Sequence, residues 1–165
     1  MDGLKFKGEF VLECLEPDGS LAWREPIHNM TLLAALTDVL AVYLGAGTQK
    51  TTWYLGLIDN SGFASLSNAD TAASHPGWTE NTAYSGGVRP TWTPGAAAGQ
   101  AITNPTATTF PMTGTGTIKG AFLISDSTLG GTAGLMFATG SFLSNRLVVS
   151  GQSLKAGYSC SGAGS

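Results

Sequence analysis

Hydrophobic and polar residues alternate along residues 5–14 of the chain. One face of this segment carries Phe6, Gly8, Phe10, Leu12 and Cys14, and the other face is mostly charged. A period of two residues predicts a half-buried strand. Residues 16–19, Glu-Pro-Asp-Gly, have the composition of a type I turn, and residues 21–23 predict a short partner strand. We therefore expect a hairpin, or N-terminal arm, within residues 1–28.

The spacing of apolar residues changes after residue 28. Steps of one, three and four residues place a hydrophobic stripe along one side of a helix, formed by Leu32, Leu33, Leu36, Val39, Leu40 and Tyr43. Asn29 and Thr31 both suit an N-cap, and Gly45 and Gly47 suit a helix end. The pattern predicts one substantial helix within residues 29–45.

The remainder of the chain predicts strands. Residues 53–58 are apolar throughout, which is typical of a fully buried strand. Further strands are expected at residues 89–93, 107–110, 116–125, 134–143 and 146–158. Hairpin turns are expected at Gly130-Gly131 and Ser144-Asn145, and a break at Ser150-Gly151. Many strands and one early helix predict a mainly β fold, an antiparallel jelly roll or β-sandwich over residues 53–158. At 165 residues, the chain is expected to form a single domain over residues 1–165.

A long segment, residues 60–107, separates the early strands from the later ones. From residue 61 to residue 117 the only charged residues are Asp70, Glu80 and Arg89, whereas large aromatic residues recur at Phe63, Trp78, Tyr84, Trp92 and Phe110. Linkers and disordered tails lack such aromatics, so we expect a long ordered loop region anchored by the rings. Because ordering the backbone costs more free energy than these rings return on burial, contacts with neighbouring subunits are also expected.

Charge is scarce in this chain. Charged residues make up 12% of the sequence, and the net charge is −3 with eight Lys and Arg residues in no basic run. Nucleic acid is therefore not expected as a partner, and the low charge favours a surface that other protein covers. The apolar run at residues 32–44 is too short to span a membrane, and no signal peptide is expected. We expect assembly in the cytoplasm, with Cys14 and Cys160 reduced. Because they lie in the first and last predicted strands, a disulfide between them after release from the cell remains an alternative.

Three side chains offer the only candidate metal site. Asp70, His75 and Glu80 lie five residues apart in the long loop and could hold a cation. The favoured interpretation is structural: His75 makes turn hydrogen bonds, while the two carboxylates accept from backbone amides or pair with Arg89. The chain has two histidines and no Gly-x-Ser-x-Gly sequence, so we expect no enzyme, no catalytic residues, no metal and no cofactor. Trp78, Tyr84 and Trp92 could alternatively stack on sugar, as in a tail or fibre protein that binds host carbohydrate, but the favoured interpretation is that these rings pack inward as loop anchors.

Several segments together resemble small structural proteins of tailed bacteriophages. They are residues 53–58, residues 70–80 (Asp-Thr-Ala-Ala-Ser-His-Pro-Gly-Trp-Thr-Glu), Tyr84, Arg89-Pro90, residues 120–125 and residues 151–154. The chain looks similar to the head decoration, or cement, proteins of short-tailed phages such as those of Bordetella. The resemblance implies a non-enzymatic jelly-roll subunit on the outer surface of the virion, bound to the major capsid protein and to copies of itself as a dimer or trimer.

The sequence also suggests which residues would contact these partners. Residues 5–14 could form an exposed edge strand that pairs with a neighbour's sheet, with lysines protecting that edge in the free protein. We therefore expect contacts with the capsid or with a second copy at Lys5, Phe6, Lys7, Phe10, Trp78 and Trp92.

Overall fold

Two antiparallel sheets and one helix make up the part of the chain that the structure, a computed structural model, describes, residues 5–163. The strands are β1 (Lys5–Leu15), β2 (Leu21–His28), β3 (Met30–Thr31), β4 (Trp53–Asp59), β5 (Glu80–Asn81), β6 (Thr91–Trp92), β7 (Ala101–Thr103), β8 (Thr108–Pro111), β9 (Gly116–Ile124), β10 (Met136–Val148) and β11 (Ser153–Ala163). Helix α1 spans Leu33–Leu44. The prediction of a mainly β antiparallel sandwich with one early helix is confirmed; its jelly-roll connectivity stays a prediction.

The first sheet has the order β2-β1-β11-β7, and β8 also pairs with β11. The predicted N-terminal hairpin is present, because the Gly19 amide donates to the Glu16 carbonyl across the turn at 2.9 Å. Strand β2 is longer than expected and continues to His28. Pro26 is tolerated there because β2 lies at the edge of the sheet.

Strand β1 is not the edge strand that the sequence suggested. From Glu9 to Leu15 it pairs with β2 on one side and β11 on the other. Within the described part of β1, residues 5–8 have no β2 residue opposite them, although the Asn29 amide donates to the Gly8 carbonyl at 2.9 Å. The edge-strand prediction is therefore wrong for most of the segment, because β2 runs the whole way back along it.

The second sheet has the order β3-β10-β9-β4-β5, and β6 also pairs with β4. The buried strand expected at residues 53–58 is confirmed as β4. The hairpin turn expected at Ser144-Asn145 is wrong, because both residues lie within β10, where a bulge shifts the register between Ser141 and Arg146. The chain turns later, at residues 149–152, and there it passes from the second sheet to the first.

The second sheet is buried on both faces. Its inner face contributes Leu55, Leu57 and Leu123 to the core between the sheets. Its outer face carries a second cluster, formed by Leu32, Ile58, Ala72, Trp78, Phe122, Ile124 and Met136, under the long loop and the start of α1. Burial on both faces explains why β4 is apolar throughout rather than alternating.

Helix α1 begins at Leu33, and neither expected N-cap residue caps it. Thr31 belongs to β3, which pairs with β10, while Leu32 occupies the N-cap position without a side-chain hydrogen bond. The predicted end is confirmed, because the Gly45 amide donates to the Ala41 carbonyl at 3.0 Å. Tertiary pairing of the preceding residues therefore overrides the local capping preference.

The long loop is ordered and held by its own chain. Trp78, Tyr84, Trp92 and Phe110 are buried, as expected for aromatic anchors. Its backbone forms hydrogen bonds within the loop and to the sheet, such as the Ala64 amide to the Gly77 carbonyl at 2.8 Å. The outer face of the second sheet supplies apolar surface that some of these rings cover, and contacts of the loop with neighbouring subunits stay a prediction.

Candidate functional site

The candidate site is an apolar groove between α1 and one end of the sandwich, with a cavity of about 540 Å³. Its walls come from both sheets and from the last two turns of the helix. The lining side chains are Phe6, Val39, Leu40, Tyr43, Leu44, Trp53, Trp92, Ile102, Leu123, Phe137, Tyr158 and Cys160. This volume falls within the roughly 300–1,000 Å³ usual for binding cavities. We name this surface the α1 groove.

Three aromatic side chains from different strands hold the floor of the α1 groove in place. Phe137 of β10 lies between Phe6 of β1 and Trp53 of β4, with ring centroids 6.3 Å and 5.6 Å apart in edge-to-face geometry. Such pairs add attraction beyond the apolar area they bury. The floor is therefore a packed part of the sandwich, in contrast to the helix above it.

Helix α1 is attached mainly through its first turn. Leu32, just before the helix, and Ala35 are fully buried, and the Leu32 amide donates to the Phe137 carbonyl at 3.1 Å. Further along, Tyr43 is 83% exposed and Leu44 is 84% exposed. The hydrophobic stripe predicted for α1 thus exists, but much of it faces solvent rather than the core.

Charge near the helix is neutralised locally. Asp38 is the only ionisable charge within α1, and its carboxylate lies 3.0 Å from the Lys50 Nζ. Lys50 also donates to the Thr48 carbonyl at 3.0 Å. A smaller cavity of about 150 Å³ adjoins the α1 groove at this ion pair. The helix face therefore offers apolar contact without an unpaired charge.

The polar groups deeper in the α1 groove also have partners. The Tyr158 hydroxyl accepts from the Asn29 Nδ2 at 2.9 Å, and the Trp92 Nε1 donates to the Tyr158 carbonyl at 3.3 Å. Burial raises the pKa of Tyr158 and the pKa of Cys160 above their ordinary values. Both groups are therefore uncharged at neutral pH, which keeps the groove apolar.

Asp70, His75 and Glu80 do not form a common site. Asp70 Oδ2 accepts from the Trp78 indole at 2.9 Å, and the His75 Nδ1 lies 2.9 Å from the Trp78 carbonyl. Glu80 instead pairs with Arg89. Among residues 5–163, no group of three or more His, Cys, Asp or Glu side chains is arranged to hold a metal ion. The structural interpretation of these residues is confirmed.

The tryptophans expected at a partner or sugar surface face inward. Trp78 is 2% exposed and packs on Phe122 at 5.3 Å between centroids, while Trp92 is 5% exposed and packs on Tyr158 at 5.9 Å. Tyr84 is also buried, against Phe110. The favoured interpretation that these three rings pack inward as loop anchors is confirmed, and Trp78 and Trp92 are not the exposed contact residues that a partner surface would need.

The four expected contact residues of β1 have different environments. Lys5 and Lys7 are exposed, as the alternation predicted. Phe10 is fully buried in the core and is therefore not a surface contact. Phe6 lies in the wall of the α1 groove. Of the six residues expected to contact partners, Lys5, Phe6 and Lys7 are thus placed where a partner can reach them, and Trp92, although largely buried, contributes to the wall of the α1 groove.

The sequence matches no known family profile, and no curated protein resembles it closely enough to be called a relative. The site must therefore be interpreted from its own geometry. No helix within the described part of the chain is long and apolar enough to cross a membrane.

The sequence interpretation missed the residues of α1 as contact residues. The predicted hydrophobic stripe includes Leu40 and Tyr43 but not Leu44, and the structure exposes all three side chains. One signal in the sequence was available: the helix has almost no charged residue on any side, as is typical of a helix covered on both sides.

Proposed function

We propose that this chain is a non-enzymatic structural protein of a tailed-phage particle. In this role it is a decoration, or cement, protein on the outer surface of the head, where it bridges major capsid proteins and associates with copies of itself. The observation that carries the proposal is the uncovered apolar face of α1 beside the α1 groove. Monomeric proteins rarely expose a contiguous apolar surface of this kind unless another molecule covers it.

The rest of the molecule supports a binding role rather than a chemical one. In the long loop, the buried Asp70 carboxylate accepts a hydrogen bond from Trp78, and the buried Glu80 carboxylate pairs with Arg89. Both carboxylates therefore stabilise the loop. The resemblance of residues 53–58 and 70–80 to head decoration proteins points in the same direction. A protein that binds only the assembled shell stabilises that shell by mass action, and many weak contacts add up across a symmetric surface.

The open side of β1 at residues 5–7 is a second candidate contact with the shell. Its backbone groups opposite β11 have no strand partner in the described part of the chain, and Lys5 and Lys7 flank them with positive charge. Pairing of a neighbour's strand there would use backbone hydrogen bonds. Substitution of both lysines by glutamate tests this contact without removing part of β1.

Purified heads that lack tails test the proposed function. We expect the protein to bind such heads in hundreds of copies, the number that a repeated icosahedral surface implies, and to raise the temperature at which the heads open. A protein of tails or fibres would instead be scarce and absent from these heads. Failure to bind heads, together with saturable binding on a glycan array, would overturn the proposal in favour of a carbohydrate-binding role.

A further inference from the structure

We infer that two copies of this chain pair through α1, each placing Tyr43 and Leu44 in the α1 groove of the other. This inference rests on the proposed function only in assuming that the protein associates with itself. It adds which surface makes that contact, and it leaves Lys5 and Lys7, which lie outside the groove lining, free for the shell.

The geometry places a projection and a groove on the same surface. Tyr43 and Leu44 stand on the last turn of α1 with more than four fifths of their surface exposed, and they form the helix side of the groove wall. In a two-fold symmetric dimer, a contact between a residue of the first copy and a groove of the second is accompanied by the same contact from the second copy to the first. A surface that carries both parts is therefore complementary to itself.

Charge also favours a second copy as the occupant. At a two-fold axis, equal charges of the two copies come close together and repel one another. Within α1 the only such charge is Asp38, and Lys50 neutralises it at 3.0 Å. Two α1 faces can therefore approach without bringing unpaired like charges together.

The exposed apolar area fits a protein contact. Leu33, Leu40, Tyr43 and Leu44 together expose on the order of 500 Å², more than half of the roughly 800 Å² per partner that a standard interface buries. The exposed parts of the groove walls add to this area. A single copy would leave that surface in water.

A small apolar ligand is the less favoured occupant. Small-molecule sites usually combine apolar walls with a few polar groups that orient the ligand. Around the α1 groove, the Tyr158 hydroxyl, the Trp92 indole and Lys50 already have partners within the chain. A protein side chain needs no such orienting group, because its own backbone positions it.

The test compares wild type with Tyr43→Asp and Leu44→Asp, using light scattering after size exclusion, and native mass spectrometry. Leu143→Asp is the matched control, since Leu143 is 98% exposed on the bulge of β10, outside the groove. We expect wild type and Leu143→Asp to form dimers, and both helix variants to weaken dimerisation at least about tenfold. Circular dichroism and thermal unfolding confirm that the variants remain folded.

Three outcomes would overturn the inference. One is a wild-type protein that stays monomeric at every concentration, and another is a dimer or trimer that both helix variants leave intact. The third is a monomer that carries an apolar molecule through native mass spectrometry, which would assign the groove to a ligand. Head binding is measured separately, so a monomer that still decorates heads would overturn the pairing and leave the proposed function standing.

Discussion

Glu80 and Arg89, both in the long loop, form a buried bidentate ion pair. Hydrogen bonds from this pair connect the loop to the turn after β9. The Arg89 Nε lies 2.9 Å from Glu80 Oε1, and its Nη2 lies 2.8 Å from Oε2. Arg89 also donates to the carbonyls of Asp126 and Gly131, each at 3.0 Å, while Glu80 accepts from the Gly130 amide at 2.8 Å. These bonds satisfy most of the polar atoms of both side chains. Without them, two buried charges would destabilise the fold.

Removal of either partner is expected to destabilise the protein strongly. Arg89→Ala leaves Glu80 buried without its charged partner, and Glu80→Ala leaves Arg89 with only the partly exposed Asp126 carboxylate at 3.8 Å, so each substitution is expected to cost about 3–5 kcal/mol of unfolding free energy. The double variant should lose less than the sum of the two single losses, because neither charge then remains. Urea unfolding of the three variants measures this coupling.

The exposed pair of Arg24 and Glu13 is the matched control for that experiment. Their side chains meet at a similar distance, 3.0 Å, but stay largely in solvent. Arg24→Ala should therefore cost no more than about 1 kcal/mol. Equal losses at Arg24 and Arg89 would contradict the role assigned to burial.

Trp78 holds the loop through its indole nitrogen as well as its ring. Trp78→Phe keeps an aromatic ring but removes the donor to Asp70 Oδ2, so a buried carboxylate oxygen loses one of its two hydrogen bonds. We expect a loss of about 1–3 kcal/mol in chemical unfolding. Trp23→Phe removes a longer bond to the Leu147 carbonyl at a less buried site and should cost less. A larger loss at Trp23 would argue against the Asp70 contact.

Gly56 has no room for a side chain. A Cβ at this position would overlap the Phe122 ring, which Trp78 and Arg89 hold from two other directions. Gly56→Ala is therefore expected to lower the unfolding free energy by about 1–3 kcal/mol. Gly116→Ala, on β9 of the same sheet, meets its nearest atom at 3.9 Å and should lack this steric cost. Thermal melts of both variants decide between these expectations.

Alkaline pH is expected to destabilise the fold through its two buried thiols, Cys14 and Cys160, and its buried phenols, because burial raises the pKa of each. Burial, with a smaller contribution from the charge of Glu16, raises the pKa of Cys14 from 9.0 to about 11. The unfolded chain releases this proton near pH 9, whereas the folded chain retains it. The contribution of the protonated Cys14 thiol to the unfolding free energy is therefore fully present below pH 9 and is lost as the pH rises from 9 towards 11. Burial raises the pKa of Tyr84 and of Tyr158 too, which extends the fall above pH 10.

Cys14→Ala should reduce the slope of unfolding free energy against pH between pH 9 and 10, where the tyrosines contribute least. An unchanged slope would assign the effect to other groups. A disulfide does not complicate this measurement. Cys14 lies opposite Leu154 and Cys160 lies opposite Gly8, so the two sulfurs are separated by roughly 20 Å of strand, beyond the reach of an intramolecular bond.

Amide exchange in the isolated chain tests whether the loop is held by its own contacts. The amides of Ala64 and Arg89 donate to carbonyls at 2.8 Å and should be protected in the free protein. Amides in the last turn of α1 should exchange faster, because this turn makes few buried contacts. Fast exchange throughout residues 60–90 would show that these contacts do not hold the loop in the free chain, and it would support the prediction that neighbouring subunits hold it.

Much of the strand pattern was predictable from local chemistry. The alternation of β1, the turn at residues 16–19, the apolar run of β4 and the glycine that ends α1 all depend on neighbours in sequence. The bulge in β10 was not predictable, because Ser144-Asn145 suits a turn and only the pairing of the flanking residues with β9, up to Ser141 and again from Arg146, keeps both sides in one strand. The cap of α1 failed for the same reason, since pairing of β3 competes with it.

By itself, the sequence determined where the longer strands and the helix lie and that the aromatic loop is ordered, because periodicity and turn chemistry act over a few residues; the short strands β3, β5 and β7 depend on pairing with distant residues. Only the tertiary structure decided which apolar residues are covered. Trp78 and Phe10 are buried, whereas Tyr43 and Leu44 at the end of α1 are exposed, although all four residues have large apolar side chains. Burial depends on which surfaces meet in space, and the two sheets cover the loop aromatics while leaving the last turns of α1 over an open groove.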